Sequence, residues 1–277
     1  MEVFLTRTLK FEPITIMPLG DIQSGVASCD MDLLAENVQK GMEAGAYFIG
    51  MGDYIDCASP SNRAALKSAR LYDTIYSTMD EAVGRQMRDL MEIIAPTKGR
   101  WFGMLTGHHV WEFQDGTTSD TRLCDELQTT HLGDAAMIKL HFADSKKEVD
   151  CVIWAHHGEG SGTTVAAPLN KLEKVIEWAE ADLYLMGHQH KRVAANVPRF
   201  YIVEETLVAR ERVVVCTGSY LKGYMQGSKA GPRAGGTYVE KGMMRPVSLG
   251  SPMIRLIPQR KRIGNVDVCL MKFETIT

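Results

Sequence analysis

Short apolar runs rich in β-branched and aromatic residues recur along this 277-residue chain, and stretches with a helical period fall between them. The runs at 14–18, 47–50, 101–105, 149–155, 183–186, 213–217 and 266–273 predict strands. Between the first two, Met31, Leu34, Ala35, Val38 and Met42 recur at the 3.6-residue spacing of a helix laid on a sheet. Asp30 is placed to cap its start and Gly45 to end it. Residues 63–94 contain no proline and lie between Pro60 and Pro96, which predicts a long helical segment with a break at Gly84. A further amphipathic helix is predicted over 169–181, entered through Pro168. Strands alternating with helices mark an α/β protein. Residues 218–250 differ: glycine recurs, the period fades, and a long surface loop is expected. No Pro/Ser-rich linker divides the chain, so 1–277 reads as one domain carrying that glycine-rich segment.

Composition narrows the class. With 45% apolar and 23% charged residues the chain is neither disordered nor membrane-like. No apolar run reaches the roughly 18–20 residues of a membrane span. The first residues lack the pattern of a secretory signal, so a cytoplasmic protein with no membrane partner is expected. Thirty-one basic against 34 acidic side chains leave a charge of -3, which excludes a basic coat for indiscriminate nucleic-acid binding. The small cluster Arg255, Arg260, Lys261 and Arg262 reads as a solvated face. Six scattered cysteines form no C-x-x-C pair and are expected to be reduced.

The histidines carry the chemistry. Of eight, six lie in three tight pairs: His108 with His109, His156 with His157, and His188 with His190. Each pair directly follows a predicted strand, as do Asp21 after ITIMPLG and Asp53 after YFIGMG. The carboxyl ends of strands in an open α/β sheet converge on one rim, where ligands bind. Five strand ends would thus bring Asp21, Asp53, His108, His156, His188 and His190 to one crevice. A single such histidine is more often a surface residue, and a single such aspartate a helix cap. Six at five successive strand ends are not explained that way. Imidazole with carboxylate is the donor set of divalent first-row metals, and no cysteine stands beside it to make a structural thiolate site.

The segments Gly20-Asp21-Ile22-Gln23, Gly52-Asp53-Tyr54-Ile55-Asp56, Gly107-His108-His109, His156-His157-Gly158 and Gly187-His188-Gln189-His190 resemble, in order, the five motifs of the calcineurin-like metallophosphoesterases. Those patterns are D-x-H, G-D-x-x-D, G-N-H, a strand-end His and G-H-x-H, and the resemblance spans about residues 14–220. Residues 156–174 look like the glycine-rich variant common among viral and prophage-type members. The resemblance implies an α/β fold in four layers: a two-sheet β-sandwich flanked by helices. It also implies two divalent ions (Mn, Zn, Fe or Mg) that generate a bound hydroxide to hydrolyse a phosphate mono- or diester. Carried over by position, Asp53 bridges the ions; Asp21, Gln23 and His190 complete one site, and His108, His156 and His188 the other. His109 resembles the general acid for the leaving oxygen, and Asp56 the carboxylate that orients it.

Two positions depart from the patterns. Gln23 stands where a ligand His is usual, giving a neutral, harder donor, and His108 stands where Asn is usual. A nuclease of the same family and a non-catalytic metal-binding scaffold remain the alternative functions, and the substrate class extends to nucleotides or nucleic acid. His157 is read as packing beside the substrate or hydrogen-bonding a group next to the ligands. Lys222, with Lys229 and Arg233, is a weaker candidate for offsetting phosphate charge from the glycine-rich segment. Tyr54, Trp111 and Phe113 are read as core or rim packing rather than base-stacking residues, and Cys57 as buried filler.

Overall fold

In the computed structural model, which describes residues 3–69, 71–160, 162–225 and 237–277, the apolar runs resolve into two sheets packed face to face. The first contains, in spatial order, β1 (Val3–Lys10), β5 (Ala135–Asp144), β6 (Lys147–His156), β7 (Leu183–Met186), β11 (Val213–Thr217) and β8 (Arg192–Asn196). The second contains β13 (Val266–Ile276), β12 (Met253–Ile263), β2 (Ile14–Leu19), β3 (Tyr47–Gly50) and β4 (Trp101–Met104). A separate hairpin pairs β9 (Arg199–Val203) with β10 (Thr206–Arg210). The helices are α1 (Met31–Glu43), α2 (Pro60–Ser68), α3 (Asp73–Ile94), α4 (Ser119–Leu127), α5 (Ala166–Val175) and the single turn α6 (Tyr238–Lys241).

Alternation along the central strands builds the layers. Ile16, Ile49, Phe102, Ile153, Leu183, Leu185, Val213 and Val215 point between the sheets into one buried cluster. Their neighbours Met17, Phe48 and Trp101 point the other way, onto α1, α3 and α4. Trp154, Tyr184 and Val214 face outward onto α5. Helix, sheet, sheet and helix follow in order, so the expected four-layer α/β arrangement is present. No helix among the described residues is long and apolar enough to cross a membrane.

Two parallel triplets position the site: β2, β3 and β4 in one sheet, and β6, β7 and β11 in the other. Parallel strands end on the same edge, so five of these six ends carry the aspartate and histidine motifs.

Several elements differ from the sequence expectation. The strands β1, β5, β8, β9, β10 and β12 and the helix α4 were not predicted. In β5 the buried Ala136, Ile138, Leu140 and Phe142 alternate strictly, but the interleaved Lys139 and His141 mask the run. Pro258 argues against a strand, yet β12 pairs with β2 only through Ile254–Leu256, so the proline sits where that side is an edge. The long helical segment divides into α2, which ends at Ser68, and α3, which starts at Asp73, rather than breaking at Gly84, which lies within α3. Pro168 lies inside the first turn of α5, where no backbone N–H partner is lost, so the helix starts before residue 169 and ends at Val175. The α1 caps match expectation: Asp30 accepts from the Leu33 N–H at 3.3 Å, and Gly45 takes the left-handed conformation after the helix. The basic cluster on β12 is a charged face, with Arg260 2.9 Å from Asp267.

Leu185 is fully buried where the sheets meet. Leu185→Ala is expected to cost about 2–5 kcal/mol of stability, read by urea denaturation. A loss below about 1 kcal/mol would mean the two sheets do not share a packed interior.

Candidate metal centre

The motif loops hold their side chains inward by strained backbone. Nine non-glycine residues with positive φ are found among the described residues, and five are Asp21 (47°), Gln23 (54°), Asp53 (54°), His188 (62°) and His190 (55°). Such conformations cost roughly 1 kcal/mol or more each and persist where surrounding contacts enforce them, commonly at functional sites. The motif glycines supply the room. A Cβ on Gly107 would lie 2.1 Å from both the Asp53 nitrogen and its Oδ1, and one on Gly187 would lie 2.8 Å from Asp21 Oδ2.

The loops of one sheet are tied to those of the other. The His188 N–H donates to Asp21 Oδ2 at 2.8 Å, and His157 Nδ1 lies 2.7 Å from the Met51 carbonyl. From the loop after β11, the Ser219 hydroxyl and the Tyr220 N–H both donate to the Asp21 carbonyl, at 2.9 and 3.1 Å. The His109 N–H donates to Asp53 Oδ1 at 2.8 Å.

Two donor clusters result. Asp21, Asp53 and His157 each place one donor atom within 4.8 Å of the others, and so do His108, His157 and His188. His108 Nδ1 and His188 Nδ1 are 3.1 Å apart, and His190 Nε2 is 3.5 Å from Asp21 Oδ1. Gln23 follows at 5% exposure, with its N–H bonded to the Asp53 carbonyl.

His157, not His156, enters these clusters. Alternation along β6 explains the choice: Ile153 and Ala155 face the other sheet, whereas Trp154 and His156 face outward. His156 stacks on Trp154 at 5.6 Å between ring centres, and its Nδ1 accepts from the Gly158 N–H. The next residue turns in, and His157 is 2% exposed with Nε2 3.3 Å from Asp53 Oδ2. The period of two was legible in the sequence and separates the inward His157 from the outward His156.

His109 Nδ1 lies 2.9 Å from Asp56 Oδ1, a charge contact with the N–H off line rather than a well-aligned hydrogen bond. Lys222 is paired with Asp30 at 2.9 Å, which commits its charge to the start of α1. Lys229 and Arg233 lie outside the described residues. Tyr54 is buried and donates to the Leu105 carbonyl. Cys57 is half-buried and burial raises its thiol pKa, which suits filler rather than a nucleophile. A residue that sequence reasoning missed is Arg63 on α2, whose guanidinium donates to the His108 carbonyl.

Electrostatics shows what the cluster can hold. Asp21 and Asp53 are 0% and 2% exposed, and burying unpaired carboxylates costs several kcal/mol. Burial pushes the Asp21 carboxyl up to about 7, with the Asp53 charge adding to the rise and His157 opposing it. Burial would raise Asp53 too, but the His157 and His109 contacts outweigh it and hold its carboxyl well below the usual range. Burial works against charge on His157, yet Asp53 and Asp21 push it up to about 9. Burial brings His188 and His190 down to about 4, leaving neutral imidazoles. Asp21 Oδ1 and His157 Nε2 are buried atoms without a well-aligned hydrogen bond. Neutral imidazoles, buried carboxylates and orphaned donor atoms facing one another fit divalent cations.

No protein-family model and no curated protein matches the chain. Solved structures with a similar outline include vacuolar protein sorting 29 from Cryptosporidium parvum, at 8% identity and a TM-score of 0.35, over 96% of this chain and 100% of that one. Wild-type Vps29 complexed with zinc from Entamoeba histolytica aligns at 12% identity and a TM-score of 0.34, over 94% and 99%. A predicted phosphoesterase from Streptococcus pneumoniae aligns at 12% identity and a TM-score of 0.32, over 95% and 98%. At these scores the geometry of the chain itself carries the functional reading.

Because a Cβ at Gly107 must displace Asp53, Gly107→Ala is expected to weaken Mn²⁺ binding at least about tenfold, within the range for lost support of a metal site. Calorimetric titration reads this, with circular dichroism showing a retained fold. Unchanged affinity would separate Asp53 from metal binding.

Proposed function

We propose that this chain is a metal-dependent phosphoesterase of the calcineurin-like metallophosphoesterase type, acting as one unit on a phosphate mono- or diester. The observation that carries the proposal is the pair of donor clusters that meet at His157, one of them holding Asp21 and Asp53, with a carboxylate-held histidine beside them. In this reading Asp53 is shared, Asp21, Gln23 and His190 hold one divalent cation, and His108, His157 and His188 hold the other. His157 thereby takes the role that the motif order gave to His156. Two cations so held would supply charge neutralisation for the phosphate and an activated water nucleophile.

The remaining work falls to the chain. With Nδ1 turned to Asp56, His109 holds its transferable proton on Nε2. Burial alone would discharge this ring, but the Asp56 contact and the Asp53 charge raise its pKa and keep more of it protonated near neutrality. That is the state a general acid needs. The bond from the His109 N–H to Asp53 fixes the acid relative to the shared carboxylate. Ser219 and Tyr220 brace Asp21 from behind, so the start of the glycine-rich segment forms one wall.

The two adjacent histidines after β6 provide a test within one motif. His157→Ala is expected to lose at least one bound Mn²⁺ per chain by elemental analysis, and His156→Ala to keep parental metal content. The reverse pattern would restore His156 as the ligand.

Activity is tested with bis-p-nitrophenyl phosphate and added Mn²⁺, where metal-dependent release of p-nitrophenol is expected. A good leaving group departs without a proton, so His109→Ala should lose about 10²-fold or more on an alkyl phosphate ester and far less on a p-nitrophenyl ester. Equal losses on both, accompanied by lost metal, would make His109 a ligand instead of an acid.

A further inference from the structure

Beside the candidate metal centre, α2, α3 and residues 110–118 line a half-open cavity of about 660 Å³ that the catalytic assignments leave unused. Its walls include Arg63, Leu66, Tyr76, Asp80, Trp111 and Phe113. A smaller cavity of about 170 Å³ shares Leu66 and Trp111 and runs toward Cys57. The larger one begins next to the acid, because Val110 in its wall follows His109 directly. Arg63 marks the same end, where its guanidinium donates to the His108 carbonyl. The volume is that of a small-molecule site.

The lining indicates what fits. Three aromatic side chains stand in the wall, and the polar groups among them are already partnered. Trp111 Nε1 donates to Asp80 Oδ1 at 2.8 Å, and the Gln114 N–H and side-chain amide donate to Asp80 Oδ2 at 3.2 Å. Arg122 covers the Phe113 ring at 3.5 Å. Satisfied polar groups offer little to a polar chain, whereas ring edges and faces favour a planar apolar one. Charge bears on the cavity as well: the Arg63 cation beside the His108 loop suits phosphate, while the carboxylates of Asp80 and Glu112 in the wall disfavour a second one.

We infer that this cavity binds the ring-bearing alcohol portion of the substrate, as in an aryl or nucleoside phosphate ester, and thereby sets the leaving-group preference of the proposed phosphoesterase site. The inference rests on that reading for its catalytic consequence. The position next to His109 puts the ring on the side where the leaving oxygen is protonated, and Arg63 faces the phosphate end.

The test fills the cavity. Leu66→Trp places a ring in the wall, and Ala64→Trp, at an exposed lining position on α2, does so without disturbing buried packing. The metal-loaded full chain is assayed for phosphate release from 1-naphthyl phosphate and from glycerol 1-phosphate. Each variant is expected to lower the ratio of kcat/KM values, naphthyl over glycerol, by about tenfold or more through KM, and comparing ratios cancels the intrinsic difference in leaving group. Calorimetric titration with 1-naphthyl phosphate is expected to show the same loss of affinity. Hydrolysis with an unchanged ratio in both variants would overturn the cavity assignment and leave the phosphoesterase reading intact. Hydrolysis of neither ester, with naphthyl phosphate still bound and its affinity reduced in the variants, would overturn the phosphoesterase reading and keep the cavity. Absence of naphthyl phosphate binding to the parent chain would overturn the cavity assignment.

Discussion

Two carboxylates buried a short distance apart at the junction of two sheets are the constraint on which the rest of this molecule turns. Asp21 belongs to a loop of one sheet, yet its side chain is fixed by the His188 N–H from a loop of the other. Asp53 is fixed by the His109 N–H and faces His157, again from across the junction. Neither carboxylate reaches water, so each needs a compensating charge or a proton. The opposite responses of the two groups, one pushed up by burial and the other held down by histidines, follow from how unevenly that compensation is shared.

Such an arrangement needs strands that deliver their ends to the same place. Each sheet contributes a parallel triplet, and the triplets are glued by a common apolar interior. The interior is local to the site in a useful way: Ile49 and Leu185 lie within strands whose next few residues are Asp53 and His188. Packing that stabilises the fold therefore also sets the distance between the motif loops. The left-handed residues at the loop bends complete the positioning, because a bend of that hand turns the side chain toward the junction within two to four residues of the strand end.

Much of this was legible in the sequence. Strands whose faces are both buried, such as 47–50, 183–186 and 213–217, read as continuous apolar runs and were located with the observed bounds. Strands with one polar face or at an edge, such as β5 and β9, lack that run and were missed. The helix break between α2 and α3 was misplaced because Gly84 is a weak propensity signal inside a helix whose Val83 and Met87 face a packed neighbour. At the site, residue types at strand ends pointed to the loops that hold the donor clusters, but the choice between His156 and His157 depends on which face each meets. That information is in the alternation of Ile153, Trp154 and Ala155, not in the histidines. Arg63 carried no local signal at all, since its role comes from a helix folding back onto the His108 loop.

In the proposed reading, the donor set also favours a phosphate ester over a neutral substrate. Gln23 in place of an imidazole leaves the charge unchanged, and the neutral state of His188 and His190 leaves Asp21 and Asp53 as the negative groups in the cluster. Against the proposed pair of divalent cations, two carboxylates offset only half the positive charge. The remainder would sit beside the buried Asp21, Asp53 and His157, where an excess charge is expensive unless a counter-ion meets it. A phosphate monoester dianion meets it fully and a diester monoanion in part. Under the proposed cavity assignment, Arg63 beside the His108 loop would continue the same division, with the phosphate at the metal end and the organic group in the neighbouring cavity. Substrate recognition and metal compensation are on this view one electrostatic problem, solved by where the chain buries its two aspartates.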